Sequence, residues 1–166
     1  MPLEMHMKID GVTGGLTGYK HKGWCDIISW SWGMTSNRKV INITENDKTS
    51  MNELSVIKVV GIDSPSIRLL FSQSKIIPKI EFNIIPSVGK KEVQTKYVDI
   101  VMENVIIKSI ITSGGKEDSY FKEHIAFIFD KINFQCSNIR SENTEETTQK
   151  SDFSWNITDN DIWTIN

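Results

Sequence analysis

At 166 residues the chain is long enough to bury one substantial core, and its 39% apolar and 24% charged residues belong to a folded globular protein rather than a disordered chain. A formal net charge of −2 supplies no basic field to hold a phosphate backbone, so nucleic acid is not an expected partner. No apolar run approaches the roughly 18–20 residues that cross a bilayer, and membrane insertion is not expected.

The N-terminal MPLEMHMKIDGV has no basic stretch followed by an apolar one. A cleaved secretory signal is therefore not expected. The chain is expected to be made in the cytoplasm, and any export to use a signal-independent route. Within this segment Met5, Met7 and Ile9 alternate with His6, Lys8 and Asp10, the period of a half-buried strand.

The next alternating stretch is CDIISWSWGMTS, Cys25 to Ser36. Side chains two apart share a face of a strand. Trp30 and Trp32 are expected to face the core, in line with Ile28 and Asp26. Ser29 and Ser31 are expected on the opposite face, with Ile27 and Cys25. The segment 37–52, NRKVINITENDKTSMN, reads as an extended polar loop with one apolar cluster at Val40, Ile41 and Ile43. A loop this long is uncommon inside a compact domain and is often functional.

Leu54, Val56 and Val60 then lie in a β-branched run with Ile57 and Val59. In DSPSIRLLFSQSK, Ser64 can cap the first turn of a short helix and Pro65 suits its first position. Ile67, Leu70 and Phe71 fall on one face of that helix, and Leu69 lies off the stripe. Ile80, Phe82 and Ile84 alternate up to Pro86, which ends the strand. Tyr97 to Ile111 is long, rich in Val and Ile, and expected to bend near Glu103–Asn104.

The core face of the following strand runs Ile125, Phe127, Phe129 and then jumps three places to Ile132, before Phe134 and Cys136. One extra residue near Asp130, a β-bulge, would restore the phase and bend the strand toward closure. Residues 138–150, NIRSENTEETTQK, are acidic and threonine-rich and read as a mobile, linker-like loop. Phe153, Trp155 and Ile157 form a last alternating strand. The whole is a mainly β protein of about seven to nine strands, with no internal repeat and no domain boundary.

Residues that would carry chemistry do not cluster. His6, His21 and His124 lie in no metal-binding spacing, and neither Cys25 nor Cys136 has a Cys-x-x-Cys partner. Two buried thiols are expected rather than a disulfide. There is no Gly-x-Ser-x-Gly elbow. The Gly14–Gly15 and Gly114–Gly115 pairs do not lead from a strand into a helix, so they read as turns and not as phosphate cradles. No cofactor, metal or catalytic residue is expected, and the chain is not read as an enzyme. Binding or assembly remains.

Several segments, in order, resemble the haemolysin-coregulated protein (Hcp) family, the tube subunits of bacterial type VI secretion. They are MKIDGVTG, SWSWGM, DSPSIRLLF with SKIIPKIEFNI, TKYVDIVMENVIIKSIITSGG, EDSYFKEHIAFIFDKINFQ and FSWNI. The Trp-Ser-Trp-Gly motif and the Ser-Gly-Gly…Glu-Asp spacing are the most specific. The resemblance spans nearly the whole chain and implies a single domain over 1–166. It implies a small, closed or nearly closed antiparallel β-barrel of two curled sheets with one short α-helix packed on it.

By the same resemblance the chain would be a structural subunit of an expelled inner tube. Homo-hexameric rings would stack inside a contractile sheath beneath spike proteins, hold effector proteins in the channel, and leave the cell for the medium or a target cell without a signal peptide. Ser29 and Ser31 would line the channel and contact effectors. The loop residues Arg38, Lys39, Val40, Ile41 and Ile43 would reach the next ring. The loop lacks the glycine-rich stretch many members carry, and its Val40–Ile43 cluster either stacks on the next ring or folds back on its own barrel. Helix residues Ser64, Arg68, Gln73 and Lys75 would meet the neighbouring subunit. Trp30, Trp32, Phe127, Phe129, Phe134 and Trp155 would form the barrel core. No role falls to 138–150. The alternatives are a tail-tube subunit of another contractile injection particle and, less favoured, a monomeric ligand-binding β-barrel.

Overall fold

A computed structural model of the chain describes residues 2–18, 20–36, 38–40, 50–87, 96–137 and 150–164. Within them run β1 (Leu3–Ile9), β2 (Cys25–Ser31), β3 (Met34–Thr35), β4 (Ser50–Met51), β5 (Leu54–Val59), α1 (Ser64–Ser72), β6 (Ile77–Pro86), β7 (Val98–Ser113), β8 (Lys122–Ser137), β9 (Lys150–Asn156) and β10 (Asp161–Ile162). All pairings are antiparallel. The sheet order β10-β9-β8-β5-β2-β1-β6-β7 closes through a further β7–β8 pairing, which gives a six-stranded barrel with β9 and β10 as an extension. Closure removes most free edges. No helix among the described residues is long and apolar enough to cross a membrane.

The two 16-residue strands β7 and β8 run through both walls of the barrel. One wall is β2, β5, the first half of β8 and the second half of β7. The other is β1, β6, the first half of β7, the second half of β8, and β9 with β10. The long strands bend between the walls at Asn104 and Asp130. The buried face jumps from Met102 to Val105 on β7 and from Phe129 to Ile132 on β8. Yet the register does not slip there, since Glu103 opposes Lys131 and Val105 opposes Phe129. Both strands change phase at the same level, with Asn104 at φ 52° and its amide 3.5 Å from the Asp130 carboxylate.

The bulge expected on β8 is therefore not one relative to β7. The register shift between these strands lies instead between Ile107 and Ser109. It leaves Lys108 outside the ladder, where it pairs with Glu53 at 3.2 Å.

A second shift corrects the reading of β2. Between Ile27 and Ser29 the pairing with β5 slips, so Ile28 is an inserted residue and 38% exposed. Before the slip Cys25 and Ile27 face the core, and after it Trp30 and Trp32 do. Ile28 and Asp26 do not share the tryptophan face. The tryptophans are only half-buried; Trp30 meets Phe82 edge-on at 5.6 Å and Trp32 lies 5.8 Å from Phe134. Phe127 and Phe129 are buried, while Phe134 and Trp155 are half-buried and packed against the core.

The barrel interior is filled by Met7, Leu54, Ile80, Phe82, Ile100, Met102 and Phe127, all fully buried. Helix α1 lies at one end, with Ile67 buried in the core and Leu70 packed against it. Phe71, expected on the buried stripe, is 42% exposed. The helix starts after Asp63 with Pro65 in its first turn, and no side chain caps its free amides. Ser64 does not cap it; its hydroxyl accepts from the Gly61 N–H at 2.9 Å and donates to Glu123 at 2.6 Å. Of the loop expected at 37–52, Ser50–Met51 pairs with Met34–Thr35 as a short ribbon at its base. Of the loop expected at 138–150, Lys150 already begins β9, opposite Ser137.

Candidate functional site

The outward face of the first wall is built by strand alternation. Leu54 and Val56 on β5, and Ile125 and Phe127 on β8, point inward. Their neighbours must then point out. The register sets Ser31 beside Ser55, Ser55 beside Ala126, and Ala126 beside Ser109. Four strands thus contribute one continuous row of small side chains. The row alongside is Ser29, Ile57, His124 and Ile111. Ser31 is exposed, and Ser29, Ser55 and Ser109 are half-buried. On the other flank the cross-strand pair Ile106 and Ile128 is 42% exposed on each side. The face is mixed small-polar and aliphatic, with few charges. The first wall has the pair Lys108–Glu53 at 3.2 Å, and the second wall carries Lys79–Glu81 at 2.6 Å on β6.

Both lateral edges of this first wall lack a neighbour strand among the described residues. β2 meets β1 only at Asp26–His6 and Cys25–Met7, so Ser29–Ser31 pair with β5 alone. β7 meets β6 only as far as Val105–Ile77, so residues 106–113 pair with β8 alone. Unpaired edges expose backbone donors and acceptors to another chain. Helix α1 contacts β7, and the Arg68 guanidinium bonds the Thr112 hydroxyl at that edge.

Beneath α1 is a buried charge cluster that the sequence reading missed. Lys58 and Glu123 occupy core-phase positions of β5 and β8 and are direct cross-strand partners. Lys58 Nζ lies 2.7 Å from Glu123, 2.8 Å from Asp63, and donates to the Val59 carbonyl at 2.8 Å. Glu123 also receives bonds from Ser64 at 2.6 Å and Arg68 at 2.8 Å. Burial alone would raise the Glu123 pKa, but the bonds from Lys58, Ser64 and Arg68 outweigh it and hold the carboxyl below its ordinary range. Burial pushes the Cys25 thiol well up, and the Asp63 carboxylate beside it adds to this. A thiol so held is a poor nucleophile. No buried side-chain nitrogen or oxygen of the cluster lacks a partner. It fastens α1 to the barrel. The signal in the sequence was a lysine in phase with Leu54 and Val56, which requires a buried carboxylate nearby.

The expected site residues thus separate. Ser29 and Ser31 fall on the small-residue face. Ser64 is buried and its hydroxyl is used within the chain. Arg68 is partly exposed but tied to Glu123, while Gln73 and Lys75 are exposed. Arg38, Lys39 and Val40 are exposed, Val40 at 95%. Ile41 and Ile43 lie outside the described residues. Cys25 and Cys136 are free thiols, but only Cys25 is fully buried. Among the described residues no three His, Cys, Asp or Glu side chains are placed to hold a metal ion.

Comparison with known proteins gives this architecture its place. Residues 6–136 match the family described as type VI secretion system effector, Hcp. Protein hcp1 of Pseudomonas aeruginosa is 22% identical over 162 residues, covering 96% of this chain and 98% of that protein. A solved structure of a type six secretion system protein superposes with a TM-score of 0.82 at 20% identity, over 96% of this chain and 99% of that one. Hcp1 from Salmonella typhimurium does so with a TM-score of 0.75 at 18% identity, over 98% and 100% of the two chains. The structural likenesses establish a shared fold. The family match covers well over half the sequence, and the chain belongs to the Hcp family of type VI secretion.

Proposed function

We propose that this protein is the structural subunit of the expelled inner tube of a type VI secretion system. Six copies form a ring, rings stack, and effector proteins travel in the channel. The observation that carries the reading is the first wall, a four-stranded sheet with an unpaired edge on each side and a row of small side chains on its outward face. The β2 edge differs from the β7 edge, so pairing one with the other is heterologous. Such contacts close into a ring when the rotation per copy allows it. The outward face, with Ser29, Ser31, Ser55 and Ser109, then lines the channel.

Helix α1 flanks the β7 edge, which supports a role in the ring contact for its exposed residues Gln73 and Lys75 and for Arg68. Arg38, Lys39 and Val40 follow β3 in the chain and are exposed, which supports a reach toward the next ring. The sheath and spike proteins are the expected external partners, and delivery is to the medium or a target cell. The filled barrel interior leaves a ligand-binding barrel without support.

Mass in solution tests the assembly. The chain mass is 19.0 kDa. The purified protein is expected to run at about six chain masses and to show annuli in negative stain. A clean monomer at high concentration would overturn the ring.

A further inference from the structure

The six-stranded barrel has one weak seam. β1 and β2 are joined by only two residue pairs, His6–Asp26 and Met7–Cys25. The connection between these strands folds back over the outer surface beside that seam. It is held internally by its own backbone bonds, among them Gly14 N–H to Gly23 at 2.7 Å and Gly23 N–H to Leu16 at 2.9 Å. The ring of His21, in this connection, rests on His6 with ring centres 4.5 Å apart. Trp24 meets His21 edge-on at 4.7 Å. On the neighbouring β6, the Asn83 amide lies 3.2 Å from His21 Nε2.

This contact is incompletely satisfied. His6 is 8% exposed and Asn83 only 2%. His6 Nδ1 and Asn83 Oδ1 are buried without a hydrogen-bond partner. Leaving such groups unpaired costs free energy, so the contact is held by packing and not by polar satisfaction. We propose that the β1–β2 connection is a flap latched over the seam by the packing of the His21 ring on His6, Trp24 and Asn83, and that protonation of His21 releases it.

The surrounding charges favour release in acid. Lys20 in the flap and Lys96 ahead of β7 both bear on His21. Asp99 on β7, across from Asn83, is engaged by Lys96 at 3.3 Å. Asp26 on β2 is exposed, opposite His6. Glu4 on β1 approaches His6 Nε2 at 3.8 Å, but its side chain is 46% exposed and its charge is screened. Burial first, and then the charges of His6, Lys96 and Lys20, hold His21 below its ordinary value of 6.5. The closed flap therefore binds fewer protons than the open one. Its closure is complete above 6.5 and weakens as pH falls below that value.

Hydrogen exchange read by mass spectrometry tests this on the whole chain. Rates are corrected for the intrinsic effect of pH and compared at about pH 7.5 and about pH 5.5. Peptides from the flap are expected to open more at the lower pH, by up to about tenfold per pH unit, while peptides from β6 and β7 do not. The variant His21→Phe keeps a ring against His6 and Trp24 but binds no proton, and is expected to lose the pH dependence. Equal flap opening at both pH values, or an unchanged pH dependence in His21→Phe, overturns the proposal. Should that variant fail to fold, the NMR titration of His21 in the unmodified protein decides. A midpoint below 6.5 upholds the latch, and one at or above 6.5 removes it.

Discussion

Lys58 and Glu123 face each other directly across β5 and β8, with their charged ends 2.7 Å apart and almost no solvent exposure. Two charges taken out of water at this depth are tolerable only when each is paired and hydrogen-bonded. Here Asp63, Ser64 and Arg68 complete the set, and three of the five residues come from α1 and the residue before it. The position of the helix is thus tied to two barrel strands by charge as well as by Ile67. Glu123→Gln keeps the shape and leaves Lys58 paired with Asp63 at 2.8 Å. Lys58→Met removes the cation shared by two buried carboxylates, Asp63 and Glu123. Lys58→Met is expected to be the more damaging, at roughly 3–5 kcal/mol. The double variant Lys58→Met/Glu123→Leu should recover part of the loss. Denaturant midpoints of the three proteins check the order.

The same cluster predicts an acid limit. The folded Glu123 pKa is lowered relative to its ordinary 4.5. A depressed carboxyl contributes stability that is fully present above the unfolded value and is lost as pH falls through the folded one. Thermal unfolding of the unmodified protein should therefore weaken as the pH drops below 4.5. In Glu123→Gln this part of the slope should be absent. An identical acid slope in the variant would place the loss at other carboxyls.

Asn104 sits at φ 52°, a left-handed conformation that Asn tolerates and β-branched residues resist. It stands where both long strands change phase, opposite Asp130. Asn104→Gly is expected to be near neutral. Asn104→Val is expected to cost about 1–2 kcal/mol and to weaken the bend. Equilibrium unfolding distinguishes them, and equal costs would mean that the bend is fixed by packing on either side.

Period-two alternation made the strands and most of the core legible, because burial of one face imposes that pattern on each strand. It could not place the slips. At the slip the sequence sets two apolar residues side by side, Ile27 and Ile28, and a strict period of two carries the tryptophan face back through Ile28 to Asp26, whereas the inserted Ile28 exchanges the faces. The serine–tryptophan assignment after the slip was right, and that of Cys25 and Ile27 before it was not. Near Asp130 the three-place jump was visible, but its matching jump at Met102–Val105 preserves the register, and only the pairing shows that. The phase of Lys58 with Leu54 and Val56 signals its burial, but its partner Glu123 lies 65 residues on and is set opposite it only by the β5–β8 register. The neighbours of Ser31 were hidden for the same reason, since Ser55, Ala126 and Ser109 come from three other strands.

Ser31 is the sharpest point at which to test the small-residue face. Its side chain is exposed in the single chain, so Ser31→Arg should leave stability within about 0.5 kcal/mol of the unmodified protein. If the face lines a channel, six added guanidinium groups would crowd one ring level. The ring should still form, since the substitution adds bulk to the face and not to the backbone edges. Retention of effector proteins by the purified ring should fall. A variant at the row's other end, Ser109→Arg, should act the same way, because the register places it on the same face. Loss of folding in Ser31→Arg would mean that the side chain is enclosed. Loss of the ring with folding intact would move Ser31 from the channel to the contact between subunits.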